Sequence, residues 1–233
     1  MAMTTRTFEY ALDGVTFEAF AAWDDSRTAT APIVLVAGTF MGRTAFEDGK
    51  ARKLAELGYV GVAIDVYGVD NRPTNFDEAR VAMETLNNDR DLLKRRLLAS
   101  LGAARAIGAG DPVKVAAIGF CFGGKCVLDL ARAGADVLSV VSFHGVFDAP
   151  PFPNVARIEP KILVLHGWDD PIAQPDAVIA LTEELTKAGA DWQIHAYGHV
   201  VHGFTNPGRP EMYNPAADAR SWQAMRNFLD EIF

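Results

Sequence analysis

The sequence has few cysteines, no long apolar run and no excess of basic residues, and each of these features excludes a class of protein. Only Cys121 and Cys126 occur among 233 residues. Two cysteines form no disulfide framework, and they indicate a reducing, cytoplasmic location. No stretch of 18 apolar residues exists and the N-terminus lacks the apolar core of a secretory signal, so we expect no membrane-spanning helix and no leader. The net charge of −8 and the isoelectric point near 5.1 argue against nucleic acid as a partner.

The chain also lacks linkers, repeats and low-complexity segments, and 49% of its residues are hydrophobic. This composition predicts a single folded domain over residues 1–233. Apolar runs that alternate with helical patterns indicate a mostly parallel sheet with helices on both faces, and Asp13-Gly14 predicts an N-terminal β-hairpin. The predicted strands are 5–10, 15–23, 33–37, 60–66, 113–118, 137–143, 162–165 and 192–196, and the predicted helices are 44–57, 76–107 with a break near 87–88, 125–133, 175–188 and 212–230.

The most informative segment is the predicted strand, turn and helix around Cys121. The apolar run 113–118 leads into Gly119-Phe120-Cys121-Phe122-Gly123-Gly124. A nucleophile on a sharp strand-to-helix turn needs small residues two positions before and after it, because neighbouring backbone passes close. The N-terminus of the following helix would favour a thiolate. The pattern predicts a nucleophilic cysteine, with a buried structural cysteine as the alternative.

Two further strand ends carry the acid and the base that such a nucleophile needs. Residues 160–171 form an apolar strand that ends in a turn with two aspartates, and residues 191–204 form a strand followed by a loop with His199 and His202. A histidine activates the thiol, and a carboxylate fixes the histidine tautomer. The chain order nucleophile, acid, histidine is that of the α/β-hydrolases. The three segments together predict a Cys-His-Asp hydrolase.

The chain resembles the dienelactone hydrolase family, the cysteine branch of the α/β-hydrolases, over nearly its whole length. The resemblance rests on the elbow at 119–124, on His166-Gly167-Trp168-Asp169-Asp170-Pro171 and on His202-Gly203-Phe204. It implies an α/β-hydrolase fold and an enzyme that cleaves small esters or lactones through a thioacyl intermediate. No cofactor and no metal are expected, and we expect a monomer or a small homo-oligomer.

The roles in the family transfer to named positions of this chain. The resemblance implies Cys121 as the nucleophile, Asp170 as the acid and His202 as the base. The backbone N–H groups of Phe122, directly after the nucleophile, and of Phe40, in the loop after the first central strand, are expected to form the oxyanion hole.

Differences from the family pattern change the expected substrate. The family carries a glutamate that interacts with the resting cysteine at the position of Thr39, and an arginine for the substrate carboxylate at the position of Asn206. A second family arginine corresponds loosely to Arg80, and Arg90 is a further candidate, although solvated helix faces are the usual place for such charges. We therefore predict a preference for neutral or aryl esters and lactones. The candidate pocket residues are Thr39, Arg80, Arg90, His144, Phe204 and Asn206.

Thr39 also bears on the resting state of Cys121. A neutral threonine cannot compete with His202 for the thiol proton as a glutamate would, so we predict a thiolate paired with His202 before substrate binds. A Cys-His site with an oxyanion hole can also be phosphorylated, so activated phosphotriesters belong among the candidate substrates.

Neighbouring residues compete for the acid and base positions. The 166–171 turn offers both aspartates, and the family pattern selects Asp170 over Asp169. His199 is predicted to be a surface loop residue. His166, at a strand end, is predicted to pack or hydrogen-bond locally, and His195, within a strand, to be partly buried.

Three other classes of function compete with this prediction. His199-x-x-His202 with the aspartates of the 166–171 turn is a weak motif for a metal-dependent hydrolase. A dithiol redox protein would use Cys121 and Cys126, but their spacing is not C-x-x-C. A non-catalytic ligand-binding protein of the same fold is the third alternative, and an intact triad argues against it.

Overall fold

The first part of the chain forms an N-terminal hairpin followed by alternating strands and helices, as the sequence predicts. The computed structural model describes residues 2–27 and 30–233, which form two compact units, one up to Ala117 and one from Ile118 to Phe233. The elements that begin in the first unit are β1 (Met3–Leu12), β2 (Val15–Asp24), β3 (Ala31–Ala37), α1 (Ala45–Glu56), β4 (Val60–Ala63), a short 3-10 turn (Val69–Asn71), α2 (Phe76–Asn88), α3 (Arg90–Ala106) and β5 (Gly110–Phe120).

Local signals explain the ends of these elements. Asp13 and Gly14 have φ of 51° and 79°, as the tight turn between β1 and β2 requires. Helix α1 begins with a capping box in which Thr44 and Glu47 satisfy each other's backbone N–H groups. Gly58, with φ of 94°, follows the end of α1 and supplies the left-handed residue that terminates many helices.

The second unit contains the end of β5 and all later elements. These are α4 (Phe122–Arg132), β6 (Ser139–Phe143), β7 (Lys161–Gly167), α5 (Pro175–Lys187), β8 (Trp192–Tyr197) and α6 (Pro215–Ile232). Helices α5 and α6 both begin with proline, whose missing N–H costs nothing at a first helical position. None of the helices in residues 2–27 and 30–233 is long and apolar enough to cross a lipid bilayer.

The eight strands form one sheet in the order β1-β2-β4-β3-β5-β6-β7-β8. The pairs β1–β2 and β2–β4 are antiparallel, whereas β3–β4, β6–β7 and β7–β8 are parallel. Helix α1 packs on β2, β3 and β4, while α4 and α6 pack on β6. The predicted class, a mostly parallel α/β sheet with an N-terminal hairpin, is confirmed.

Two boundaries depend on side chains that bind the backbone. The predicted fourth strand ends early, at Ala63, because Asp65 Oδ1 accepts hydrogen bonds from the N–H groups of Tyr67 (2.9 Å) and Gly68 (3.1 Å) and turns the chain. The break in the long helical segment falls at Asp89, whose side chain caps α3. Such local hydrogen bonds compete with regular structure and leave no trace in the hydrophobic pattern.

Gly61 and Gly49 provide a matched test of the packing of α1 on β4. A Cβ on Gly61 would lie 2.3 Å from the carbonyl oxygen of Ala51, whereas a Cβ on Gly49 would meet nothing within 4 Å. We expect Gly61→Ala to lower the free energy of unfolding by about 1–3 kcal/mol through overpacking. Gly49→Ala, inside α1, should raise it by about 0.5–1 kcal/mol. Urea unfolding of both variants measures this, and equal effects would contradict the packing described.

Candidate active site

The backbone at Cys121 makes a sharp, strained turn between β5 and α4. Cys121 has φ of 57° and ψ of −116°, a region that costs a non-glycine residue about 1–3 kcal/mol. Its N–H points towards the end of β6, where the acceptors are the carbonyl of Phe143 (3.0 Å) and Nδ1 of His144 (3.1 Å). These contacts hold the thiol-bearing residue at the carboxyl end of the sheet.

The glycines around Cys121 are required by close backbone approaches. A Cβ on Gly119 would lie 2.0 Å from the carbonyl oxygen of Gly123, and one on Gly124 would lie 2.7 Å from Cα of Gly145. The helix begins at once, at Phe122, rather than at 125 as predicted. Phe122 therefore belongs to the first turn of α4, whose N–H groups have no acceptor within the helix.

Asp170 and His202 form a buried, charge-assisted pair in the same unit as Cys121. Nδ1–H of His202 donates to Oδ2 of Asp170 at 2.7 Å, and Asp170 is only 2% exposed. The other carboxylate oxygen, Oδ1, accepts the N–H of Ile172 at 2.8 Å. The carboxylate is therefore fixed from both sides, and it holds His202 in the tautomer that leaves Nε2 for proton exchange.

The surroundings of His202 favour its protonated form. Burial alone would lower its pKa, but the hydrogen bond to Asp170 and the nearby thiol of Cys121 outweigh burial and raise the pKa of His202 to about 10. Nε2 of His202 has no well-aligned hydrogen bond to any residue that the structure describes, so the effect of Cys121 reflects proximity rather than a formed hydrogen bond. Asp170 is the buried negative partner that stabilises the imidazolium.

Asp169 and His199 form a second pair that is open to solvent. Nδ1 of His199 lies 3.7 Å from Oδ2 of Asp169, and their side chains are 100% and 49% exposed. His199 is thus a surface residue, as predicted. Within the described ranges of the chain, no three His, Cys, Asp or Glu side chains come together in a group that could hold a metal ion. The residues of the predicted metal motif therefore fall into two separate pairs, His199 with Asp169 and His202 with Asp170.

Of the two remaining strand histidines, His166 packs locally as predicted and His195 is more exposed than predicted. His166 is buried and packs on the rings of Phe147 (5.4 Å) and Trp168 (6.4 Å). Its ring nitrogens have no hydrogen-bond partner among residues 2–27 and 30–233, so only the packing part of that prediction is confirmed. Burial lowers the pKa of His166; the charge of Asp170 opposes this shift and the charge of His202 reinforces it. His195 was predicted to be partly buried and is exposed, because β8 is an edge strand.

Two of the predicted pocket residues of the second unit lie beneath its surface. His144 is 1% exposed, and Phe204 is fully buried in a cluster with Ala217. Both are therefore interior residues, with His144 against the N–H of Cys121 and Phe204 in the loop that carries His202, and their assignment to the substrate pocket stays a prediction. Asn206 is half-buried, and its Oδ1 accepts the N–H of Gly208 at 2.9 Å within a turn.

In the first unit, the loop after β3 is held by a buried carboxylate. Oε1 of Glu47 accepts the N–H of Thr39 at 3.1 Å, and burial raises the pKa of Glu47. Oγ1 of Thr39 accepts the N–H of Met41, and the hydroxyl of Tyr67 donates to the carbonyl of Phe40 at 2.9 Å. The N–H of Phe40 has no acceptor in the part of the chain that the structure describes. Both sides of Phe40 are anchored, and its N–H remains available.

Arg80 and Arg90, the two arginines of the first unit that are candidates for the pocket, differ in their exposure. Arg80 is exposed on α2, as is usual for a charged residue on a helix. Arg90, at the start of α3, is buried, so it belongs neither to a solvated helix face nor to an open surface.

In the second unit, sequence reasoning overlooked Thr205, which is fully buried and forms a hydrogen bond with His144. No motif marks Thr205, because its partner lies on a distant segment.

The geometry predicts that only one of the two adjacent aspartates supports turnover. Asp170→Asn should lower kcat for an activated ester by roughly 10³- to 10⁴-fold, because the amide no longer fixes the tautomer and charge of His202. Asp169→Asn alters only an exposed pair and should change kcat by less than about threefold. Steady-state kinetics of both variants measure this, and a reversed ranking would overturn the placement of the acid.

Comparison with known proteins shows similarity over nearly the whole chain. Residues 17–233 match the model of the dienelactone hydrolase family. The protein m3DLH is 35% identical, with a TM-score of 0.95 over the full length of both chains. The dienelactone hydrolase-like promiscuous phosphotriesterase P91, from metagenomic libraries, is 34% identical, with a TM-score of 0.93 over the full length of both chains.

A sequence relative with a more specific name is the probable 2-oxo-3-(5-oxofuran-2-ylidene)propanoate lactonase of Bradyrhizobium sp. It is 28% identical over 211 residues, which is 84% of this chain and 82% of the relative. The fold is that of the α/β-hydrolases. Because the family model covers nearly the whole sequence, this chain belongs to the dienelactone hydrolase family and is a hydrolase.

Proposed function

We propose that the protein hydrolyses carboxylic esters or lactones through Cys121, His202 and Asp170, with a thioacyl-enzyme intermediate. The observation that best supports this is the buried 2.7 Å hydrogen bond between Asp170 and His202, in the unit that also holds the strained elbow at Cys121. A fixed imidazole near a thiol at a helix N-terminus is the arrangement that activates a sulfur nucleophile.

The reaction follows from the protonation states of these groups. In our proposal, Nε2 of His202 takes the proton of Cys121, and the resulting thiolate attacks the substrate carbonyl carbon. The resulting oxyanion is stabilised by the N–H of Phe122 and, in our proposal, by the N–H of Phe40. When the carbon–oxygen bond breaks, the leaving alkoxide takes the proton from His202. A water molecule then gives a proton to His202, attacks the thioester carbonyl and releases the acid and the Cys121 thiolate.

The surroundings of the acid and the base favour a neutral, apolar substrate. Trp168 and Ile172 flank Asp170 in its turn and Val201 precedes His202, and all three apolar side chains are exposed. Asn206 cannot form the charge-assisted pair with a substrate carboxylate that an arginine would form. We therefore propose neutral or aryl esters and lactones as substrates.

Activated phosphotriesters are a second candidate class of substrate. The observation that favours them is the full-length similarity to P91, whose name describes a promiscuous phosphotriesterase. The Cys121 thiolate would attack phosphorus and expel an aryloxide leaving group, and turnover would require water to cleave the phosphorylated cysteine.

A substrate screen with cysteine variants tests the proposal. Wild-type protein should cleave a neutral aryl ester faster than a carboxylate-bearing lactone, by roughly one to two decades in kcat/KM. Cys121→Ala should lose about 10⁴-fold or more in kcat, as the loss of a nucleophile does. Cys126→Ala removes a buried side chain of α4 and serves as the matched control, which should retain most activity.

Each contrary result has a specific meaning. Equal losses in both cysteine variants would favour a dithiol reaction, and unchanged turnover in Cys121→Ala would overturn the proposed nucleophile. Preference for the carboxylate-bearing lactone would mean that a cation fills the role for which Asn206 is unsuited. Adding an activated phosphotriester to the same screen shows whether it is turned over or only inhibits.

The raised pKa of His202 predicts early alkylation of Cys121. The hydrogen bond to Asp170 raises the pKa of His202, and a protonated imidazole stabilises a thiolate beside it. Inactivation by iodoacetamide should therefore have a midpoint well below the ~8.5 of free cysteine. Asp170→Asn removes the carboxylate that raises the pKa of His202, so the midpoint of inactivation should move upward. Asp169→Asn should leave the midpoint unchanged. A midpoint near 8.5 in all three proteins would exclude the resting ion pair.

A further inference from the structure

The residue that follows β6, His144, has a backbone conformation that needs compensation. Its φ is 37°, a positive value that only a few per cent of non-glycine residues adopt. Its N–H donates to the carbonyl of Leu165 at 2.8 Å, so its backbone is tied to β7. Strain of this kind persists only where the surroundings impose it, and it concentrates at functional sites.

Both ring nitrogens of His144 have partners, and together these partners define its tautomer. Nδ1 accepts the N–H of Cys121 at 3.1 Å, so Nδ1 carries no proton. In a neutral ring the proton then lies on Nε2, which donates to Oγ1 of Thr205 at 2.8 Å. Thr205 is fully buried, so water does not compete for this hydrogen bond.

These contacts join two segments that carry the reacting groups. Cys121 lies on the elbow, and Thr205 follows three positions after His202 on the base loop. The ring of His144 also meets the rings of His202 (5.2 Å) and Phe204 (5.1 Å) edge to face. One neutral imidazole thus spans the distance between the backbone of the nucleophile and the loop of the base.

We infer that His144 is a positioning residue that keeps the Cys121 thiol and the His202 ring in reactive alignment, acting through its hydrogen bond to Thr205. The inference rests on the proposed Cys-His-Asp function. His144 must be neutral and carry its proton on Nε2, because a proton on Nδ1 would point at the N–H of Cys121. A second positive ring would also lie beside the His202 imidazolium.

Substitutions at Thr205 isolate this link with little change in volume. Thr205→Val removes the acceptor for Nε2–H of His144, so the two loops should lose their alignment. We expect kcat for a neutral aryl ester to fall by about 10- to 100-fold with little change in KM, as small misplacements of reacting groups do. Thr205→Ser restores the hydroxyl and should keep kcat within about threefold of wild type. Equal thermal midpoints of Thr205→Val and Thr205→Ser would show that the difference in kcat is not a loss of folding.

Substitution of His144 tests the same link from its other end. In His144→Asn, the side-chain oxygen can still accept the N–H of Cys121, and asparagine tolerates a left-handed φ. The shorter side chain does not reach Thr205, so His144→Asn should match Thr205→Val in kcat. The double variant should be no slower than either single variant, because both changes break the same hydrogen bond, the one between His144 and Thr205.

The possible results separate this inference from the proposed function. If Cys121→Ala retains wild-type turnover, the triad proposal fails first. If Cys121→Ala is inactive, two results make only the positioning role fail. One is that Thr205→Val is as fast as wild type, and the other is that Thr205→Ser is as slow as Thr205→Val. Multiplying losses in the double variant would also overturn it. If His144→Asn does not fold, the comparison of valine with serine at position 205 still decides the question.

Discussion

At Cys121 the backbone leaves the sheet with a left-handed φ, and the geometry of the second unit is built around that turn. The strain is sustained because the backbones of Gly119 and Gly123 approach so closely that no side chain fits at position 119. The N–H of Cys121 is also bound to the end of β6. Rigid attachment to sheet and helix keeps the thiol at the carboxyl edge, where parallel strands present their ligand-binding ends.

The segment after β6 is anchored by buried charges of α4. Arg132 is bound through two nitrogens to Glu184 and donates to the carbonyl of Phe147 at 3.0 Å. Lys125, in the first turns of α4, pairs with Asp148 at 2.6 Å. Charges this deeply buried are costly unless paired, so these contacts fix the loop closely. The helix that follows the nucleophile therefore also secures the loop that begins at His144.

Much of the fold and the candidate triad could be predicted because the signals are local. Apolar runs, the capping box at Thr44, and the glycines at 14 and 58 each act within a few residues, and the observed elements follow them. The elbow pattern likewise specifies a turn from five adjacent positions. The exposure of His199 was also predictable, because a loop histidine flanked by glycine has little to pack against. The early end of β4 was not, because it depends on hydrogen bonds to one aspartate, Asp65.

By itself the sequence determined which residue types stand at the strand ends and in what order, and that was enough to indicate a cysteine hydrolase. Only the tertiary structure decided which of these side chains are buried. His144 and Thr205 are 61 positions apart and meet through a hydrogen bond, while Arg90 and Phe204 lie in the interior. Burial and tautomer depend on what distant segments bring against a side chain, and no periodicity within one segment records that.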